Sequence, residues 1–147
     1  MDIAGDMTAA VLCGGGSRRL GFAKEMLRVD GAPLAVQMAR RLERDFDPVA
    51  VVTGRPDYLA PWPEVTVIED EYPGDGPLAG VHAALKAIDA ARCLFLPVDM
   101  PFVHNDLLER LCREAGETDA DVVMGAPGGR WEPMPAVFAR RMVPRLE

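Results

Sequence analysis

The sequence predicts an α/β domain with a mostly parallel central sheet. Short apolar runs at 9–12, 49–52, 65–68, 93–98 and 122–124 read as strands, those at 9–12, 49–52 and 93–98 as buried ones. Between them, apolar residues recur at helical spacing: Leu34, Met38 and Leu42, then Val81, Ala84, Leu85 and Ile88, then Leu107, Leu108, Leu111 and Cys112. Strand and helix alternate, the pattern of parallel strands joined by right-handed crossovers. At 147 residues the chain has the length of one domain, 1–147, large enough for a real core.

Taken in order, residues 1–7 read as a loose tail and 8–12 as the first strand. A glycine-rich loop follows. Met26-Leu27-Arg28-Val29 is a short extended piece closed by an Asp30-Gly31 turn. Pro33 opens a helix to about Arg44, since proline is tolerated in a first helical turn. Strand two, 49–52, is broken by Thr53-Gly54-Arg55-Pro56, and 57–63 form a loop or short helix. Strand three ends at Glu69-Asp70-Glu71. Turn formers fill 72–80, and a helix then runs to about Ala90. Strand four delivers Asp99 and frays at Pro97. Asn105 or Asp106 caps a helix to about Ala115. Strand five, a turn at 125–130, a strand at 133–138 and a final helix from near Arg140 complete the chain.

The loop after strand one reads Leu12-Cys13-Gly14-Gly15-Gly16-Ser17-Arg18-Arg19-Leu20-Gly21-Phe22-Ala23-Lys24. Glycines let a ligand approach the main chain, and successive N–H groups in such a turn form an anion-binding concavity. Arg18, Arg19 and Lys24 suit a polyphosphate. The stretch is nevertheless not a P-loop, because Phe22 and Ala23 follow Gly21 where Lys and Ser or Thr are required. It is not a dinucleotide fingerprint either, because Arg19 takes the third glycine position. The plain alternative is a glycine turn with solvated arginines.

Composition narrows the classes further. A net charge of −7 argues against a nucleic-acid partner, whose binding surface is usually basic. Cys13, Cys93 and Cys112 have neither metal-ligand spacing nor a disulfide framework, which points to a reducing, cytoplasmic setting. The first residues lack the basic region of a signal peptide, and no apolar run reaches membrane-spanning length, so no membrane association is expected. His82 and His104 have no partner at ligand spacing and receive no catalytic role. In open parallel sheets ligands sit beyond the carboxyl ends of the strands. The glycine loop, Asp70 and Asp99 all follow strands, so one rim should collect them.

Residues 12–24 resemble the signature loop of the nucleotidyltransferases that act on the molybdenum cofactor, in particular the molybdenum cofactor guanylyltransferase family. That loop runs Leu-Ala-Gly-Gly, a variable residue, Ser-Arg-Arg-Met-Gly, a variable residue, Asp-Lys. The chain keeps Leu12, Gly14, Gly15, Ser17, Arg18, Arg19, Gly21 and Lys24 and departs at Cys13, Leu20 and Ala23. The segment ending at Asp70 resembles the family's Ile-Glu-Asp, and Gly76-Pro77-Leu78-Ala79-Gly80 its Gly-Pro-Leu-Ala-Gly. Asp99-Met100-Pro101 resembles its Asp-Met-Pro, and residues 131–138 resemble a later segment near the pterin side. Without the resemblance, Asp70 reads equally as a solvated acid and Asp99 as a turn or cap residue. Asp119-Ala120-Asp121 precedes a strand and reads as a solvated turn. The family continues with an Asn-x-Asn-Thr-Pro stretch and a closing helix that the chain, ending at Glu147, does not contain.

The resemblance implies a three-layer, Rossmann-like nucleotidyltransferase fold of the GT-A-like type. It implies transfer of GMP from GTP to the phosphate of molybdopterin, or Mo-molybdopterin, with release of pyrophosphate. Backbone N–H groups of Cys13, Gly14, Gly15, Gly16 and Ser17 are expected to cradle the phosphates, with Leu12 beside them at the nucleotide site and Arg18, Arg19 and Lys24 neutralising charge. Asp99 is expected to hold Mg²⁺, and Thr53, Asp70 and Gly80 to meet the base and ribose. Candidate partners are molybdenum cofactor synthesis or insertion proteins. Alternatives are a cytidylyltransferase relative, a guanylyltransferase for a cobalamin precursor, or a shortened non-catalytic binder of nucleotide or cofactor. Cys-Gly-Gly and Asp-Met-Pro favour guanine, because the cytidylyl relatives usually carry Ala-Ala-Gly and Asp-Gln-Pro.

Overall fold

A computed structural model of the chain describes residues 5–14, 26–72 and 74–147. One six-stranded sheet runs through it. Its strands are β1 (Met7–Cys13), β4 (Val49–Thr53), β5 (Thr66–Glu69), β6 (Arg92–Pro97), β7 (Val122–Gly125) and β8 (Glu132–Ala139), in the order β5-β4-β1-β6-β8-β7. The first four of that order are mutually parallel, and β8 lies antiparallel between β6 and β7. The expected α/β class and mostly parallel sheet are both present. The strand expected over 8–12 is longer, because Met7 already pairs with Arg92.

Successive residues of a strand point to opposite faces, and both faces here are covered. Ala9, Val11, Val51, Leu94, Leu96 and Val137 face α1 (Leu34–Leu42) and α3 (Asn105–Gly116). Ala10, Leu12, Ala50, Val52, Phe95 and Phe138 face α2 (Pro77–Ala87) and α4 (Val143–Leu146). This is a three-layer arrangement. Because both faces of the central strands are covered, they read as continuous apolar runs and not as alternation. Among the described residues, no helix is long and apolar enough to cross a membrane.

Local chemistry explains the element boundaries. Asp30 and Gly31 take φ of 50° and 82°, the conformation a tight two-residue hairpin requires. They join β2 (Arg28–Val29) to β3 (Ala32–Pro33). Pro33 lies just before α1, whose Ala35, Val36, Met38, Ala39 and Leu42 are buried. Residues 56–59 form one 3-10 turn.

Several boundaries differ from expectation: α1 ends at Leu42 and not near Arg44, and residues 140–142 form a 3-10 turn ahead of α4. The Gly76-Pro77-Leu78-Ala79-Gly80 stretch is not all loop, since α2 begins at Pro77, in the favoured first helical position, and ends at Ala87. Helix α3 follows His104, and neither Asn105 nor Asp106 caps it; the Asn105 side chain accepts hydrogen bonds from Arg41. On α3, Leu107 faces outward while Leu108, Leu111, Cys112 and Ala115 are buried.

Pro97 ends β6 without a broken ladder. The Val98 N–H donates to Leu12 O at 2.9 Å. The missing donor of Pro97 therefore points to the other side of the strand, where pairing with β8 has already ended at Phe95. Asp121 also differs from the solvated turn expected of it. It accepts ion-paired hydrogen bonds from Arg141 and Arg145. The Arg141 hydrogen bond holds its carboxyl below the usual range.

Cys93 and Cys112 are fully buried, and burial is the main cause that raises both thiols, Cys112 to about 12 and Cys93 well above its ordinary value. Both stay protonated thiols through neutral pH, and the thiolate is the reactive form. Neither is expected to react with iodoacetamide at pH 8 until the chain is unfolded. Peptide mass mapping before and after denaturant checks this.

Candidate active site

The site is built by the carboxyl ends of the parallel strands. β1, β4, β5 and β6 all end on one rim, and there the chain turns into loops around a cleft of about 490 Å³. Its floor is Leu12, Cys13 and Gly14 from the end of β1. Among the described residues nothing lies within 4 Å of the point where a side chain on Gly14 would begin, which suits close approach of a ligand to this backbone.

Asp70 stands one residue beyond β5 and lines the cleft, although it is 6% exposed. Its backbone extends the β4–β5 ladder, donating from its N–H to Thr53 O at 2.9 Å. Its Oδ1 accepts from the Tyr72 N–H at 3.0 Å, which turns the chain and fixes the carboxylate. Oδ2 lies 3.7 Å from the point where a side chain on Gly80 would begin. That same point is 3.2 Å from Leu12 Cδ2, so a side chain at this position would need the Leu12 methyl to shift by a few tenths of an ångström for α2 to stay this close to β1 and Asp70. Gly74 and Gly76, with φ of 103° and 88°, shape the loop between Asp70 and α2 and also line the cleft.

Asp99 lies opposite, two residues past β6, in the same cleft. It is exposed, and among the described residues no hydrogen bond or ion pair engages its carboxylate. Glu132, Pro133 and Met134, at the start of β8, form a further wall. Sequence reasoning reached this segment through resemblance but did not single out Glu132. A carboxylate just ahead of a strand was the available signal, and solvated strand ends carry the same signal.

Thr53 belongs elsewhere. It is fully buried, its Oγ1 accepts from the Arg55 N–H at 3.0 Å, and Val52 takes the place on the cleft lining. Gly15, Gly16, Ser17, Arg18, Arg19 and Lys24 lie outside the described residues, as do Leu20, Gly21 and Ala23. Leu12, Cys13, Gly14, Asp70, Gly80 and Asp99 are therefore gathered around one cleft, and Thr53 is set behind it.

The described lining carries three carboxylates, Asp70, Asp99 and Glu132, and no lysine or arginine. A polyphosphate here needs cations from outside that lining. Among the described residues no three His, Cys, Asp or Glu side chains assemble a metal cage. One open carboxylate beside room for phosphates and water nevertheless fits Mg²⁺, which keeps several waters and takes few protein ligands. Asp99 fits that description.

The layer order and a cleft at the strand ends define an α/β domain of the nucleotidyltransferase type. Residues 9–147 match the MobA-like NTP transferase domain, and the chain belongs to that family. A probable molybdenum cofactor guanylyltransferase of Methanothermobacter thermautotrophicus is 36% identical over 144 residues, covering 92% of this chain and 72% of the relative. A molybdenum cofactor guanylyltransferase of Syntrophotalea carbinolica is 34% identical over 143 residues, covering 95% of this chain and 66% of the relative. The crystal structure of molybdopterin-guanine dinucleotide biosynthesis protein A from Archaeoglobus fulgidus superposes with a TM-score of 0.77 at 29% identity, covering 95% of this chain and 71% of that one. The chain thus spans about two thirds to three quarters of the length of these relatives.

Proposed function

We propose that the chain transfers GMP from GTP to the phosphate of molybdopterin. The observation that carries this reading is the convergence of Gly14, Asp70, Gly80 and Asp99 on one cleft, in a chain whose relatives bear guanylyltransferase names. An acceptor phosphate oxygen forms a bond to the α-phosphorus, the bond from that phosphorus to the bridging oxygen breaks, and pyrophosphate leaves. Such a reaction asks the protein chiefly for in-line positioning and charge neutralisation.

In this reading the backbone at Cys13 and Gly14 begins the phosphate cradle, continued by Gly15, Gly16 and Ser17. Gly80 lets the start of α2 pack against Leu12 beside Asp70, whose fixed carboxylate accepts hydrogen bonds from base or ribose. Arg18, Arg19 and Lys24 neutralise the departing pyrophosphate. Asp99 would hold Mg²⁺, and the ion would supply positive charge at the transferring phosphate. Glu132 and its neighbours face the acceptor side. In this reading the chain works in the cytoplasm as a cofactor-building enzyme, with molybdenum cofactor synthesis or insertion proteins as its proposed partners.

Thermal unfolding with Mg²⁺ and GTP, CTP or ATP in parallel tests the reading. A ligand at one hundred times its Kd stabilises by about 2.7 kcal/mol, or roughly 5–10 °C for a domain this size. The expected result is a shift with GTP that CTP and ATP do not match, followed by pyrophosphate release when the pterin acceptor is added. A larger shift with CTP overturns the guanine assignment. A GTP shift without pyrophosphate release indicates a binder and not a transferase.

A further inference from the structure

Among the described residues, what restrains Asp99 is the backbone on either side of it. Upstream, the β1–β6 ladder holds it through the Val98 N–H to Leu12 O bond of 2.9 Å. Downstream the chain runs through residues 100–104 with little regular structure before α3. Two turn bonds cross this loop, Met100 N–H to Pro97 O at 3.0 Å and Val103 N–H to Met100 O at 3.4 Å. Met100 and Val103 pack against the core, but apolar packing is non-directional and sets no orientation. Phe102, at 92% exposed, anchors nothing.

The Met100 N–H to Pro97 O bond closes the turn at Asp99 itself; the further directional restraint, on the loop beyond it, comes from Arg41, in the last turn of α1. Its Nη1 donates to Pro101 O at 3.2 Å, and its Nη2 donates to Val103 O. Its Nε and Nη2 donate to Asn105 Oδ1 at 3.1 and 2.6 Å. Four hydrogen bonds from one planar, rigid fork thus hold three residues within a five-residue stretch. Lysine, a flexible point charge, cannot reproduce that fork. Among the described residues Arg41 has no carboxylate partner, although its neighbour Arg40 pairs with Glu64.

We propose that Arg41 is a positioning residue for Asp99. It clamps the loop that leaves the metal-binding position, and so sets where the carboxylate stands in the cleft. The inference rests on the metal role proposed for Asp99. Groups hydrogen-bonded directly to a metal ligand contribute about ten- to one-hundredfold to metal affinity; Arg41 holds the loop and not the carboxylate, so the low end of that range is the scale expected of it.

The test measures GTP binding to the full chain by calorimetry, with and without Mn²⁺ as the probe ion. The ratio of the two affinities is the metal's contribution. In Arg41→Ala this ratio is expected to fall about tenfold, while metal-free GTP affinity stays within the error of wild type. Hydrogen exchange at the Met100 and Val103 amides is expected to quicken. Arg41→Lys keeps the charge and aliphatic stem and is expected to recover only part of the ratio. Asn105→Ala, which removes one of the three anchor points, is expected to fall between wild type and Arg41→Ala.

A merely structural staple between α1 and α3 would lower the unfolding midpoint and leave the ratio unchanged. A folded Arg41→Ala or Asn105→Ala chain with the wild-type ratio overturns the proposal while leaving the metal reading intact. A wild-type chain whose GTP affinity is indifferent to Mn²⁺ overturns both, and that failure is seen before any variant is made.

Discussion

Asp99→Ala is expected to lower the rate of nucleotidyl transfer by at least about 100-fold, the scale of losing one preorganised electrostatic contact at a transferring group. Its unfolding midpoint is expected to match wild type. The carboxylate is exposed and has no partner among the described residues, and substitutions at such positions usually stay within about 0.5 kcal/mol. Activity and stability should therefore separate cleanly. Pyrophosphate release at saturating GTP, with a melting curve on the same sample, measures both. Normal turnover by the folded variant would remove Asp99 from the mechanism and leave Asp70 and Glu132 as the carboxylates to examine.

The opposite separation is expected from Phe95→Ala. Phe95 is fully buried on the α2 face of the sheet, and its ring meets Phe138 edge to face at 5.7 Å and 86°. Truncation removes a large apolar side chain and leaves a cavity that the strands on either side cannot close. The expected cost is about 3–5 kcal/mol, seen as a fall of roughly 10 °C in Tm or a matching loss in urea midpoint. Phe102→Ala, at a residue 92% exposed, is the control and should change stability little. Equal effects at the two positions would mean that β6 does not lie where the register with β1 and β8 puts it.

Much of this architecture was legible because buried parallel strands are apolar throughout and their helices are amphipathic. The rim was legible too, since Gly14, Asp70 and Asp99 each follow such a run. Other features depend on contacts between distant residues. Nothing local in residues 132–139 says that this strand inserts antiparallel between β6 and β7. Thr53 looked available at a strand end, but its hydroxyl turns back to the Arg55 N–H. Asn105 has the composition of a cap, yet its oxygen is taken by Arg41, 64 residues earlier. Asp121 resembled a solvated turn because Arg141 and Arg145 lie twenty or more residues onward. Pro77 was the exception, since its place at a helix start is a local signal that the surrounding turn formers obscured.

The position of β1 carries a consequence for synthesis. Of the six strands of this sheet β1 comes earliest in the sequence, yet it lies inside the sheet, with β4 on one side and β6 on the other. Its β6 partners begin at Arg92, 85 residues after Met7. While the chain emerges from a ribosome, β1 can pair only with β4, and its other edge stays open until β6 has left the exit tunnel. Long-range parallel pairing of this kind is slow, and an unpaired apolar edge invites association in the meantime. Nascent chains of this protein should thus be most dependent on chaperones between the emergence of β4 and that of β6, a window in which the floor of the cleft has been made but not yet enclosed.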